Sequence, residues 1–127
     1  MRLLTLGLCL LLAGCSVGRR GSSLEFSQTP GGAIVTVQTS GGSSLLGELV
    51  GTRDDGILLV RKADAQVVFV AGPAITLVTI PGYGAVRSFA GERRRLASVS
   101  RYPGGVSDEL LANLLSAYGQ VELVQVP

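Results

Sequence analysis

The sequence predicts a mainly β protein, a small five-stranded bent barrel followed by one C-terminal amphipathic helix. Three observations carry this. From Ala33 to Ile80 the hydropathy pattern has a period of two. Turn residues interrupt that pattern at roughly 8–12-residue spacing, the rhythm of short strands in a small barrel rather than an open sheet. Further on the period becomes helical, with Leu110, Leu111, Leu114, Leu115 and Tyr118 on one stripe.

The elements follow in order. Val35 and Val37 alternate with Thr36 and Gln38 in a first strand, and Ser40-Gly41-Gly42-Ser43 is a turn. Leu45 to Thr52 is a second strand, where Gly47 and Gly51 reduce bulk and permit a sharp bend. Asp54-Asp55-Gly56 reads as a hairpin turn in which glycine supplies a positive φ. Ile57 to Lys62, Val67 to Ala71 and Ile75 to Ile80 complete five strands. Residues 81–106 read as a connector, loop-like from Pro81 to Gly91 and extended from Arg93 to Tyr102, with a break at Pro103-Gly104-Gly105. Ser107 is suited to cap a helix whose first turn holds Asp108 and Glu109, and Gly119 is suited to end it. Val121 to Val126 offers a last strand, so residues 107–127 form the helix and that strand.

The start of the chain has a different character. Arg2 precedes an apolar run from Leu3 to Leu12, then small residues Ala13 and Gly14. That run is about half of the roughly 20 residues a membrane-spanning helix needs. The run ends in Leu12-Ala13-Gly14-Cys15. This resembles the lipobox of bacterial lipoproteins, and the resemblance covers residues 1–16. It implies that residues 1–14 are a cleaved signal peptide and that Cys15 becomes a diacylglyceryl-modified, N-acylated terminus. An ordinary secretory signal with an unmodified Cys15 thiol is the alternative. Because Cys9 would leave with the signal, Cys15 has no disulfide partner. Two or three acyl chains anchor stably, each buried methylene adding about 0.8 kcal/mol. In bacteria with two membranes an Asp after the lipidated cysteine resembles an inner-membrane retention signal; Ser16 stands there instead, so the resemblance implies the periplasmic face of the outer membrane. Residues 15–32, rich in Ser, Gly and Arg, read as a flexible tether with a reach of roughly 20–24 Å.

Composition narrows the function. Removing the first fourteen of 127 residues leaves 113, one small domain and its tether. Without Arg2, ten basic side chains face nine acidic ones, which gives no electrostatic case for a polyanionic partner. The chain contains no His and no Trp. Without His the usual general base, triad partner and zinc ligand are missing, so neither a catalytic residue nor a metal or cofactor site is expected. Asp54 and Asp55 read as turn formers, and Lys62 has no Ser at a telling spacing for a dyad. Gly82-x-Gly84-x-x-Arg87 lacks the third glycine of a dinucleotide fingerprint.

Within the strand region, Gly42, Gly47 and Leu49 stand at the spacing of one motif, Gly-x4-Gly-x-Leu. Val70-Ala71-Gly72-Pro73-Ala74-Ile75, with Val78 and Ile80, follows a second. Together they resemble the Sm-like family of small SH3-like barrels, over residues 33–80. Members that bind RNA carry Asp, Asn and Arg at the positions of Arg53, Ile57 and Ala71. The resemblance therefore implies the barrel and ring-like association through strand edges, but no nucleic acid. The barrel's one aromatic, Phe69, offers no stacking platform.

Two features invite partners. Arg93-Arg94-Arg95, with Arg87 and Arg101, suits lipid phosphates or an acidic partner, although a solvated connector beside Glu92 explains it too. The leucine stripe of residues 110–118 either makes this a partner-binding helix or covers the open end or one face of the barrel, and covering is favoured because five short strands enclose little core. The expected protein is a non-enzymatic interaction or scaffold module of the cell envelope, joined to the membrane by covalent lipid, with a protein partner or a homo-oligomer. The alternative is a binder of a small ligand or envelope polymer, using Tyr83, Phe89, Tyr102 and the arginines.

Overall fold

The computed structural model describes residues 31–127. The expected signal peptide, the expected lipidation site Cys15 and the expected tether up to residue 30 lie outside the described residues. The chain is mainly β, with strands β1 (Ile34–Thr39), β2 (Ser44–Arg53), β3 (Gly56–Arg61), β4 (Gln66–Ala71), β5 (Ile75–Ile80), β6 (Gly84–Val86) and β7 (Val124–Val126). A 3-10 turn, Gly72–Ala74, joins β4 to β5, and helices α1 (Phe89–Ser98) and α2 (Asp108–Ala117) stand between β6 and β7. One sheet holds all seven strands in the order β6-β5-β1-β2-β3-β4-β7. All neighbours are antiparallel except β4 and β7.

The five expected barrel strands are present, and β7 falls within the expected last strand Val121 to Val126, but β6 was not expected, the seven-stranded sheet does not close into a barrel, and two helices rather than one accompany it. The extra helix falls where an extended run from Arg93 to Tyr102 was expected. Ser88 caps it by accepting from the Gly91 amide at 3.2 Å, and a kink at Glu92 (φ −126°, ψ 27°) breaks its first turn from the rest. That kink, and an apolar pattern reduced to Phe89 and Leu96 on the buried side, hid it from a periodicity reading.

β2 organises the sheet. Its first half pairs with β1, Leu45 opposite Val37, and the register with β3 shifts between Leu49 and Gly51, which bends the strand. Gly47 allows β3 to come close, since a Cβ there would lie 2.4 Å from the Val60 carbonyl oxygen. Past the bend β1 no longer follows, and the edge of β2 is filled by other backbone. The Leu49 amide donates to Ala33 (2.8 Å), while the amides of Arg101, Tyr102 and Val106 donate to Leu49, Val50 and Thr52 at 2.9–3.1 Å. Residues 99–106 are thus a backbone filler for β2 rather than a free connector. Gly56, expected to supply a positive φ, is instead needed for space: a Cβ would lie 2.3 Å from the Val70 oxygen.

Two cores flank the sheet. The inner one holds Val35, Val37, Leu49, Ile57, Leu59, Val68, Val70 and Val78, sealed by Phe89 and Leu96 of α1. The outer one holds Val50, Leu58, Val67 and Phe69, covered by Leu114 of α2 and by Val106. Ile57-Leu58-Leu59 and Val67 to Val70 are apolar without alternation because both faces of β3 and β4 are buried. The leucine stripe therefore covers the sheet, as its pattern favoured. Ser107 accepts from the Leu110 amide, and Gly119 (φ 70°) ends α2 as its amide donates to Ser116 and that of Gln120 to Leu115.

Both long edges are occupied. β6 lies along β5, and β7 lies along β4 with Val68 opposite Val124. Just before β7, the Gln120 side chain imitates a strand residue: its oxygen accepts from the Val67 amide at 2.5 Å and its nitrogen donates to the Val67 carbonyl at 3.0 Å. Removing residues 120–127 bares the edge of an apolar strand, a template for pairing with another chain. Sedimentation velocity should show the truncated protein in larger species than the intact chain. Identical sedimentation would mean that β7 does not protect that edge.

Candidate functional site

The expected cluster Arg93-Arg94-Arg95 lies on α1, and the three side chains diverge. Arg93 pairs with Asp54 at 3.2 Å and sits over the Phe89 ring, 5.8 Å from its centre. Arg95 pairs with Glu92 at 2.8 Å, donates to the Tyr83 carbonyl at 3.0 Å and covers the Tyr83 ring. Arg94 is exposed, as is Arg87 two residues before α1. Both ion pairs are exposed to solvent and screened by it, so a ligand can exchange for them at little cost.

Beside α1 runs an open groove. Two depressions of about 690 and 820 Å³ share Thr52, Arg93, Gly104 and Gly105. One end carries Asp54, Asp55 and Asp108, and the other carries Arg94 and Arg95. Gly104 and Gly105 present bare backbone on the facing wall, where a Cβ on Gly104 would meet nothing within 4 Å. The groove is polar, and the aromatic residues expected to line a cleft are dispersed. Tyr83 is exposed, Phe89 is buried against Gly72, and Tyr102 packs into the outer core. Phe89 with Arg87 borders only a separate depression of about 270 Å³.

The three positions compared above with the RNA-binding motif, Arg53, Ile57 and Ala71, have structural work here. Arg53 donates to the Val106 carbonyl at 2.9 Å and to Asp108 at 2.6 Å, fixing the start of α2. Ile57 is fully buried and Ala71 packs against the outer core. Lys62 is exposed at the turn after β3. Among the described residues no three His, Cys, Asp or Glu side chains gather as a metal site requires, and no helix is long and apolar enough to cross a membrane.

The strongest electrostatic feature was not expected from the sequence. Glu48 on β2 and Arg101 form a bidentate pair, their side chains 7% and 8% exposed. Arg101 Nε donates to Glu48 Oε2 at 2.7 Å, and Nη2 donates to Oε1. The same Oε2 accepts from the amides of Gly31 (2.8 Å) and Gly32 (2.9 Å), and Arg101 reaches the Tyr118 hydroxyl at 3.1 Å. Burial works against the carboxylate. The Arg101 guanidinium and the two glycine amides outweigh it and hold the Glu48 pKa below its ordinary 4.5, while Glu48 holds Arg101 more firmly charged than usual. The sequence signal was slight: one acid between Leu45 and Val50, on the strand face that alternation assigns to solvent.

No family model, curated protein or solved structure matches this chain.

Removing one partner leaves a buried charge unmatched. Arg101→Met should cost about 3–5 kcal/mol in urea unfolding, and Glu48→Leu with Arg101→Met much less than the sum of the single changes. Additive losses would show that the pair does not act as a unit. Because the folded Glu48 pKa is depressed, its contribution is complete above 4.5 and is lost as pH falls through the folded value. Glu48→Gln should accordingly flatten the acid limb of the stability curve.

Proposed function

We propose that this protein is an exported lipoprotein, held by acyl chains on Cys15, that serves as a non-enzymatic interaction or scaffold module of the cell envelope. The observation that carries the reading is Leu12-Ala13-Gly14-Cys15 placed directly after a charged start and a short apolar run. The absence of His from the whole sequence argues against most acid–base and zinc chemistry. We assign the five-strand core an Sm/SH3-like ancestry. The unbroken run β1 to β5 and the bend in β2 support it. Ring formation through the edges of β4 and β5 is not part of the proposal, because β7 and β6 already pair there.

The groove beside α1 favours a second reading, a binder of an envelope polymer or small anionic ligand, since Arg93 and Arg94 lie there beside bare glycine backbone. Gentle extraction separates the two: a stoichiometric protein partner or a defined homo-oligomer supports the scaffold reading.

Cys15→Ser should move the protein from the membrane to the soluble fraction, and the N-terminal peptide of the wild type should carry the mass of its acyl chains. Retention of Cys15→Ser in the membrane would overturn the anchor.

A further inference from the structure

We propose that α1 is the membrane-facing element of the domain, held against anionic phospholipid headgroups by Arg87 and Arg94. The proposal rests on the anchor reading and names the surface that the anchored domain turns to the lipid. Two independent observations meet here. The first is where the described chain begins. The Ala33 amide donates to the Val99 carbonyl at 2.9 Å, and Gly31 lies against the Arg101 side chain. Val99 is the residue that ends α1. The tether therefore joins the domain beside the C-terminal end of α1, which keeps this helix close to the anchor point.

The second observation is charge. Arg93 and Arg95 are matched by Asp54 and Glu92, whereas Arg87 and Arg94 are exposed and form no ion pair among the described residues. Glu92, on the same helix as Arg94, and Asp54 are already paired, with Arg95 and Arg93. Asp55 and Asp108 belong to the other end of the groove, where Arg53 holds Asp108. Two arginines are too few to bring a soluble domain to a bilayer. For a domain already confined there, each headgroup contact shifts the orientational equilibrium about fivefold, and two shift it about thirtyfold. Arg19 and Arg20 add basic charge in the tether itself.

Arginine-selective labelling with phenylglyoxal, read by peptide mass spectrometry, tests this on lipidated protein reconstituted in phosphatidylcholine vesicles with or without one part in about five of phosphatidylglycerol. Arg87 and Arg94 should label about tenfold more slowly on the anionic vesicles. Arg61 at the β3–β4 turn should not change, and about 0.5 M salt should restore both rates. Arg93, on the same helix, should be slowed with them, and the double variant Arg87→Glu, Arg94→Glu should abolish that slowing at Arg93. Equal labelling on the two vesicles, or equal slowing at Arg61, overturns the proposal. If Cys15 proves unacylated, the anchor reading fails separately. The orientation is then tested on residues 15–127 coupled through the Cys15 thiol to maleimide-bearing lipid, with the same outcomes decisive.

Discussion

Glu48 and Arg101 form a constraint on which distant parts of the chain depend together. A carboxylate on the middle strand of the bend and a guanidinium 53 residues later lose most of their hydration in meeting, so neither is stable there without the other. The Gly31 and Gly32 amides and the Tyr118 hydroxyl add further hydrogen bonds to the pair, which helps to make burial tolerable. One ion pair therefore gathers the first described residues, the bend of β2, the segment after α1 and the end of α2. An apolar cluster holds elements together without fixing their register. A bidentate pair with satisfied flanks admits one arrangement.

The hydrophobic organisation complements this polar one. A small sheet with one covered face would bury too little to stabilise a domain of this size, and none of the described residues is a cysteine that could brace it. α2 supplies the remedy by covering the outer face of β3 and β4, which turns these strands into a layer buried on both sides. α1 closes the inner core with Phe89 and Leu96. The two helices thus act on opposite faces of one sheet, and the residues that carry exposed charge on α1 are those its packing leaves over.

Much of the fold was legible because strand alternation, turn glycines and helix caps are local signals. Val35 and Val37, Ser107 and Gly119 stand where their neighbours alone would put them. What escaped was non-local. β6 has three residues and exists only as a partner for β5, so nothing in its own sequence declares it, whereas β7 is the C-terminal half of the expected run Val121 to Val126. Closure failed for the same reason, since whether a sheet closes depends on what occupies its last edges. α1 was missed because a kink at Glu92 and a run of arginines erase helical periodicity, although Ser88 is a fair cap. Of the site, the arginine run was visible, but its division between matched and unmatched side chains depended on Asp54, which lies 39 residues away in sequence. Glu48 looked like an ordinary solvent-facing strand residue, and only the position of Arg101 shows otherwise.

The route by which the chain enters the sheet has a mechanical consequence. From Gly31 the backbone runs directly into β1, and β1 lies inside the sheet, hydrogen-bonded antiparallel to β2 on one side and β5 on the other. A force transmitted through the preceding residues first meets the Glu48 contacts at Gly31 and Gly32, then pulls along the axis of an interior strand. Its ladder bonds share that load at once instead of opening singly from a free end, as they would if the chain entered through β6 or β7. A domain built this way resists extraction by traction on its N-terminal side, and it gives way more readily to tension applied at the short outermost strand β7.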